Sequence, residues 1–364
     1  MRLSAFGLVK SKPGSKFDFP TQFFGLRVAC RMVRPAPLLE RVCAAFPLGE
    51  PLAPWRRVSG GLSNELRRLE TTAGCFAVKR MVVGTEFPWF RGNVEASFQI
   101  EQAAVDAGIR APRPISAESG EECLAEIECE GGDSCWVRVH EWKQGNGPDH
   151  RTAPPRFARQ IGQMVASIHA LEVPLLGEVP PVEPYGGDVW HGFAERARPT
   201  ANSWASEFRA LLPTVDRLEG LIRHHPSQPS VPGHRDADDK NTLISDDGEL
   251  WLIDWDAAGA VDPGQELTSV LLDWSGARSG HIRMEMVRAI RDGYALESGA
   301  NPALDPSGWI TDQLGWLHLN LRRALGDLGP EEASLGEREL IFLANNLGRI
   351  AGSMEEWMEE WEAG

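Results

Sequence analysis

The segment Gly233-His234-Arg235-Asp236-Ala237-Asp238-Asp239-Lys240-Asn241, followed by Leu252-Ile253-Asp254-Trp255-Asp256, carries the clearest chemical signature in the chain. It satisfies H-x-D-x-x-x-x-N, with an acidic D-x-D after the intervening hairpin. The chain's own His, Asp and Asn frequencies give about 0.01 chance matches to the first pattern. Phosphoryl transfer needs these residue types. A donor triphosphate is accompanied by divalent cations, hard ions that take oxygen ligands; Asn241 and Asp254 offer an amide and a carboxylate oxygen, with Asp256 as a further metal donor. An acceptor hydroxyl must be aligned and must lose its proton as the new bond forms, and Asp236, five residues before the amide, can take that proton. The competing reading is a solvated loop and a D-D-G turn, built on the local turn preferences of Asp, Asn and Gly. It suits Asp238, Asp239 and Lys240.

The donor's phosphates also need a cation, better carried on a stiff strand than on a loop. Ala77-Val78-Lys79 offers one. An unpaired ammonium in so apolar a strand is costly, so an acidic partner is expected on the following helix, with Glu101 the first choice and Glu95 the second. Upstream, Ser59-Gly60-Gly61-Leu62-Ser63-Asn64 would let backbone N–H groups approach phosphate without Cβ obstruction, which makes Ser59, Gly60, Gly61 and Ser63 candidate nucleotide contacts. The run does not fit G-x-x-x-x-G-K-[ST], which excludes a P-loop. Val139-His140-Glu141-Trp142 would present backbone groups of Glu141 and Trp142 to an adenine edge.

These residues must be held by two different kinds of lobe. From Pro54 to Trp142 the pattern is strand-like: Trp55–Ser59, Asn64–Thr71, Cys75–Met81, Cys123–Cys129 and Ser134–Trp142, with one helix marked by Glu95, Phe98, Glu101, Ala104 and Val105. The polar run 143–150 reads as a hinge. Beyond it helices dominate, at about 157–171, 204–225 (irregular at Pro213), 263–274, 281–297, 309–325 and 331–361, interrupted by two short strands around Asp246-Asp247-Gly248. The expected organisation is an α+β, bilobal fold: an extension over 1–49, a small β-rich N-lobe with one key helix over 50–142, and a larger, mainly helical C-lobe over 151–364. The Met354, Trp357, Met358 and Trp361 stripe is expected to face the core.

With 364 residues and 42% apolar content, two lobes of an ordinary globular protein are the natural expectation. No run of about 18 apolar residues exists to span a membrane, and the opening residues lack a secretory pattern. The net charge of −15 disfavours a nucleic-acid partner, although residues 1–31 are basic at +5 and read as a disordered leader or a mis-started one ahead of Met32. The six cysteines, none in a C-x-x-C pair, read as small buried hydrophobes in a reducing cytoplasm.

Taken in order, S-G-G-L-S-N, A-V-K, the helix Glu, the hinge, G-H-R-D-x-x-x-x-N and I-D-W-D-A-A-G resemble the aminoglycoside phosphotransferase family of the protein-kinase-like superfamily, over about residues 50–360. The resemblance implies a two-lobed kinase fold, ATP between the lobes, Mg²⁺ as cofactor and a small-molecule hydroxyl as acceptor. It makes Asp236 the catalytic base, Asn241 and Asp254 metal ligands, Lys79 the phosphate-binding lysine, Glu101 its partner and His234 the loop-organising histidine. Two positions depart from it: Asp238 stands where many members have His, and Arg235 where Gly is common.

Asp262-Pro263-Gly264-Gln265-Glu266-Leu267, already the start of a helix, begins only eight positions after Asp254. That leaves no room for the peptide platform of a protein kinase and favours a small acceptor. A silent nucleotide-binding pseudokinase would need no base. The acidic balance would attract a polycation such as an aminoglycoside, in a pocket between the hinge and residues 184–225, lined by Trp190, His191 and Trp204; a macrolide or a hydroxylated metabolite such as choline or homoserine suits the same chemistry.

Overall fold

A computed structural model describes residues 38–58, 64–82, 85–118, 120, 122–129, 133–149, 152–176, 184–199, 202–223, 228–277 and 282–363. The small lobe runs α1 (Leu38–Ala45), β1 (Arg56–Arg57), β2 (Glu65–Thr71), β3 (Gly74–Met81), α2 (Phe90–Asp106), β4 (Pro114–Ile115), β5 (Leu124–Glu128) and β6 (Ser134–Glu141). Alternation on β3 sends Phe76 and Val78 to one face and Lys79 and Met81 to the other, as period-two geometry requires. The first face packs with Val42 and Phe46 around α1, and the second with Phe90, Val94 and Phe98 of α2. The segment read as an extension therefore supplies a core helix to the small lobe. The sheet is antiparallel in the order β1-β2-β3-β6-β4, with β5 also on β6. Strand β4 escapes the sequence pattern because Pro112 and Pro114 look like breakers; a proline at the first residue of an edge strand removes no ladder bond.

The large lobe follows: α3 (Pro155–His169), α4 (Gly187–Ala197), α5 (Ser203–Glu219), β7 (Val231–Gly233), β8 (Thr242–Ile244), β9 (Leu250–Leu252), β10 (Gly259–Val261), α6 (Pro263–Trp274), α7 (Met284–Ser298), α8 (Ser307–Ala324), α9 (Pro330–Gly352) and α10 (Met354–Glu362). Helix α6 shows why the local sequence suffices: Pro263 pre-sets its first turn, and the Asp262 carboxylate accepts from the Gly264 and Gln265 amides. The helix expected over 331–361 is two, broken at Ser353, whose hydroxyl donates back to the Arg349 and Ile350 carbonyls. The stripe still faces inward, with Met354, Trp357 and Trp361 buried.

Two corrections concern side chains. Trp190 and Trp204 offer no exposed surface to an acceptor: both are fully buried in the large core with Trp255, Trp274 and Trp357, while His191 is exposed and bonded to the Gly187 carbonyl. An indole buries far more apolar area in a core than a cleft wall would offer it. Nor are the cysteines all free thiols. Cys129 and Cys135 form a disulfide, because the β5–β6 hairpin brings their Cα atoms to 6.0 Å; Cys43, Cys75 and Cys123 are free, and Cys30 lies outside the described residues.

Helices α3 and α7 meet through glycines. A Cβ on Gly162 would overlap the Ile290 carbonyl oxygen, and one on Gly293 the Arg159 carbonyl oxygen. Backbone cannot retreat as a flexible side chain can. Gly162→Ala is therefore expected to destabilise the protein by about 1–3 kcal/mol, read as a lowered Tm, despite alanine's better helix propensity. An unchanged Tm would contradict this packing.

Candidate active site

The two halves of the sequence signature are joined by strand register. Hairpin β8–β9 pairs Thr242 with Leu252, and the Ile253 amide donates to the Asn241 carbonyl at 2.9 Å, so Asn241 and Asp254 emerge side by side. Strands β7 and β10 pair Gly233 with Gly259, which sets the start of the His234–Asn241 loop against the segment that follows Asp254. Gly233 has no alternative there, since a Cβ would overlap Val261 and the Glu266 carboxylate.

Backbone strain marks the same place. Among the described residues, the non-glycine positions with positive φ are Arg235 (66°) and Asp254 (65°), flanking the candidate base and carrying the candidate metal carboxylate. A left-handed residue with a Cβ costs about 1–2 kcal/mol, so the surroundings must hold it. Glu266 of α6 accepts the Arg235 amide and also meets His169, whose other ring nitrogen lies 2.9 Å from the Tyr294 hydroxyl. His234 is fully buried, with Nε2 3.1 Å from the Ile253 carbonyl and its ring edge-on to Trp255 at 4.7 Å. It ties one loop to the other.

Asp236 is gripped by the amide it precedes. Asn241 Nδ2 donates to Asp236 Oδ2 at 2.8 Å and to its carbonyl at 2.9 Å, which turns the Asn241 Oδ1 away from Asp236. Asp238, read from sequence as an ordinary loop residue, is buried and caps the turn Asp239–Asn241 by accepting the Asn241 amide at 3.0 Å. Lys240 bonds Asp238 and approaches Asp236 Oδ1 at 3.2 Å. An Asp heading a short helical turn is itself the signal of such a cap.

Lys79 reaches across from β3. Its Nζ lies 2.6 Å from Asp254 Oδ1 and 2.8 Å from Asp256 Oδ2. Burial pulls the ammonium's pKa down, but the Asp256 and Asp254 carboxylates more than offset that and raise it, so it stays charged. The expected Glu101 partnership is not formed. Glu101 is buried against Arg138 and His140, while Glu95 accepts the amides of Cys123 and Leu124 at 3.0 and 3.2 Å. The reason is register: Lys79 and Arg138 are cross-strand neighbours on one face, and the longer, forked guanidinium takes the helix carboxylate first. Asp256 is correspondingly occupied on both oxygens, by Arg138 on Oδ1 and by Lys79 and Asn64 on Oδ2.

Ser59, Gly60, Gly61 and Ser63 lie outside the described residues; Asn64, which ends that run, is anchored to Asp256 and to the Val82 amide. The Glu141 and Trp142 amides are already donated to the Arg113 and Cys75 carbonyls, so neither N–H is available to an adenine edge. A cavity of about 290 Å³ beside Gly108, Arg110, Gln163 and Ser167 includes none of the groups above.

The carboxylates make acid the vulnerable direction. Burial alone would raise the pKa of Glu101, Asp256 and Glu266, yet Arg138 beside the first, Lys79 and Arg138 around the second and His169 against the third hold all three below the usual carboxylate range. Groups depressed on folding stabilise the fold above their unfolded pKa of about 4 and lose that contribution as pH falls through the folded values. Melting temperature is expected to fall steeply below about pH 4, with a shallower slope in Glu266→Gln; an unchanged slope in that variant would remove Glu266 from the account.

The APH phosphotransferase enzyme family matches residues 54–299. No functionally curated protein matches the chain in sequence. Among solved structures the chain is similar to spectinomycin phosphotransferase in complex with ADP and spectinomycin (TM-score 0.62, 14% identity, covering 88% of this chain and 98% of that one). It is similar to a microcompartment-associated aminopropanol kinase (0.60, 17%, 86% and 97%) and to an amicoumacin kinase in complex with AMP-PNP, Ca²⁺ and Ami (0.57, 13%, 84% and 92%). At these identities the likeness is one of fold, the bilobal kinase fold.

Proposed function

Since the chain belongs to the APH phosphotransferase enzyme family and is thereby a small-molecule kinase, we propose that it transfers the γ-phosphoryl group of ATP to a hydroxyl of a cationic small molecule. The observation that carries this reading is the meeting of Lys79 with Asp254 at 2.6 Å, beside Asn241 and Asp236: a strand ammonium and a cluster of oxygen donors at one place between the lobes.

The donor set suits a divalent cation. Asp254, 44% exposed, and the Asn241 Oδ1 are hard oxygen ligands, and two protein ligands completed by substrate phosphates are what Mg²⁺ commonly uses in kinases. When bound, the ion neutralises charge developing on the phosphates. The chain's own groups do the rest. Lys79 meets the donor phosphates. Asp236, oriented by Asn241, accepts the acceptor's hydroxyl proton while the oxygen–phosphorus bond forms and the bond to the ADP oxygen breaks. His234, Glu266 and Asp238 hold the loop in its strained conformation. The chain from Asp254 passes through a single turn (Trp255–Ala257) and β10 directly into α6, which leaves no platform for a peptide.

A cationic acceptor is supported by the net charge of −15. The test is a coupled ADP-release screen with Mg-ATP over spectinomycin, aminoglycosides, macrolides and amino alcohols. Turnover with one cationic class supports the reading; turnover confined to neutral or anionic acceptors overturns the charge argument, and no ADP release with any acceptor overturns the kinase assignment.

A further inference from the structure

Arg138 is the one wholly buried guanidinium among the described residues, and nothing in the phosphoryl-transfer chemistry above requires it. It forks. Nη1 lies 2.9 Å from Asp256 Oδ1 and 3.4 Å from the Ser97 hydroxyl, and Nη2 bonds Glu101. One side chain thus links β6, helix α2 and the turn that follows Asp254. The charges alternate without a gap, Glu101 to Arg138 to Asp256 to Lys79 to Asp254. A buried arginine is strongly unfavourable unless such partners surround it, and a direct lysine–glutamate pair would need two fewer buried charges.

The two aspartates on Lys79 are not equivalent. Asp254 is 44% exposed and holds Lys79 through one oxygen, whereas Asp256 is 19% exposed and has both oxygens engaged by Arg138, Lys79 and Asn64. A metal could take Asp254 by displacing a single contact. Taking Asp256 would break the Arg138 contact at Oδ1 or the Lys79 and Asn64 contacts together at Oδ2.

We propose that Arg138 is a positioning residue: it fixes Asp256 as the permanent anchor of Lys79, leaves Asp254 as the exchangeable contact, and makes Glu101 serve Arg138 and not the lysine. When the donor arrives, Lys79 turns from Asp254 to the phosphates while Asp256 still holds it. This rests on the ATP reading above, and it removes Asp256 from the metal-ligand set.

The test is calorimetric titration of wild type, Arg138→Lys and Asp256→Asn with a non-hydrolysable ATP analogue and, separately, with adenosine. Arg138→Lys keeps the buried charge but cannot bridge two carboxylates, so it is expected to fold and to lose about tenfold in analogue affinity, as outer-shell variants commonly do, with adenosine affinity unchanged. Asp256→Asn is expected to show the same phosphate-selective loss, with no change in the Mg²⁺ concentration that half-saturates analogue binding. Arg138→Met, which strands Glu101 and Asp256, is expected to melt early, and the added Glu101→Gln to restore melting but not phosphate affinity. Equal losses for analogue and adenosine in Arg138→Lys, no loss for either, or a raised Mg²⁺ requirement in Asp256→Asn overturns the proposal. Wild type that binds neither ligand overturns the nucleotide reading itself, and this inference with it.

Discussion

Asp254→Ala is expected to abolish measurable turnover. The carboxylate is the most accessible oxygen donor beside Lys79, and stabilising transition-state charge through a metal is worth several kcal/mol. At about 1.4 kcal/mol per tenfold, the loss is on the order of 10³-fold in kcat. Alanine at φ 65° is also strained, so the companion is Asp254→Asn. Asparagine tolerates the left-handed region and keeps an oxygen while losing the charge. Both variants, assayed at saturating Mg²⁺, should be nearly inactive, with Asp254→Asn melting close to wild type and Asp254→Ala below it. Full turnover in Asp254→Asn would remove the metal role from this residue.

Asp236→Asn should retain nucleotide and lose the chemical step. The residue bonds Asn241 and Lys240 and has no hydrogen bond to Lys79 or Asp254, and the oxygen of the new amide can still accept from Asn241 Nδ2, so the orientation of Asn241 is kept. Removal of a general base typically costs about 10²–10⁴-fold. Equilibrium binding of an ATP analogue beside steady-state turnover separates the possibilities. Binding intact with turnover lost supports a base. Turnover equal to wild type reduces Asp236 to a loop residue, and no turnover above background in wild type itself describes a silent nucleotide binder.

Much of the architecture was legible because its determinants are local. The alternation on β3, the proline and aspartate cap of α6 and the inward stripe of Met354, Trp357 and Trp361 each follow from spacing within one element. The β8–β9 hairpin is the important case. A D-D-G turn between two short apolar runs predicts the pairing that delivers Asn241 and Asp254 together. What escaped is equally specific: α1 because the preceding basic stretch masked it as leader, β4 because its prolines resemble breakers, and α4 because Gly186 and Gly187 at its start and Gly192 within it read as loop.

Residue types and spacing along the chain were enough to single out Asp236, Asn241, Asp254 and Lys79 as neighbours in one place, since the first three lie on one hairpin and its flanking loop. Tertiary structure alone decided which charges meet. Glu101 was a reasonable partner for Lys79 by order in the sequence, but Arg138 stands opposite that lysine across two strands and reaches the helix first, so the lysine goes to Asp254 and Asp256. Local pattern constrains what each segment becomes; side-chain reach and cross-strand register, set by residues 59 and 118 positions away from Lys79 and Asp256 respectively, select among the possible ion pairs in a buried space where every charge must find a partner.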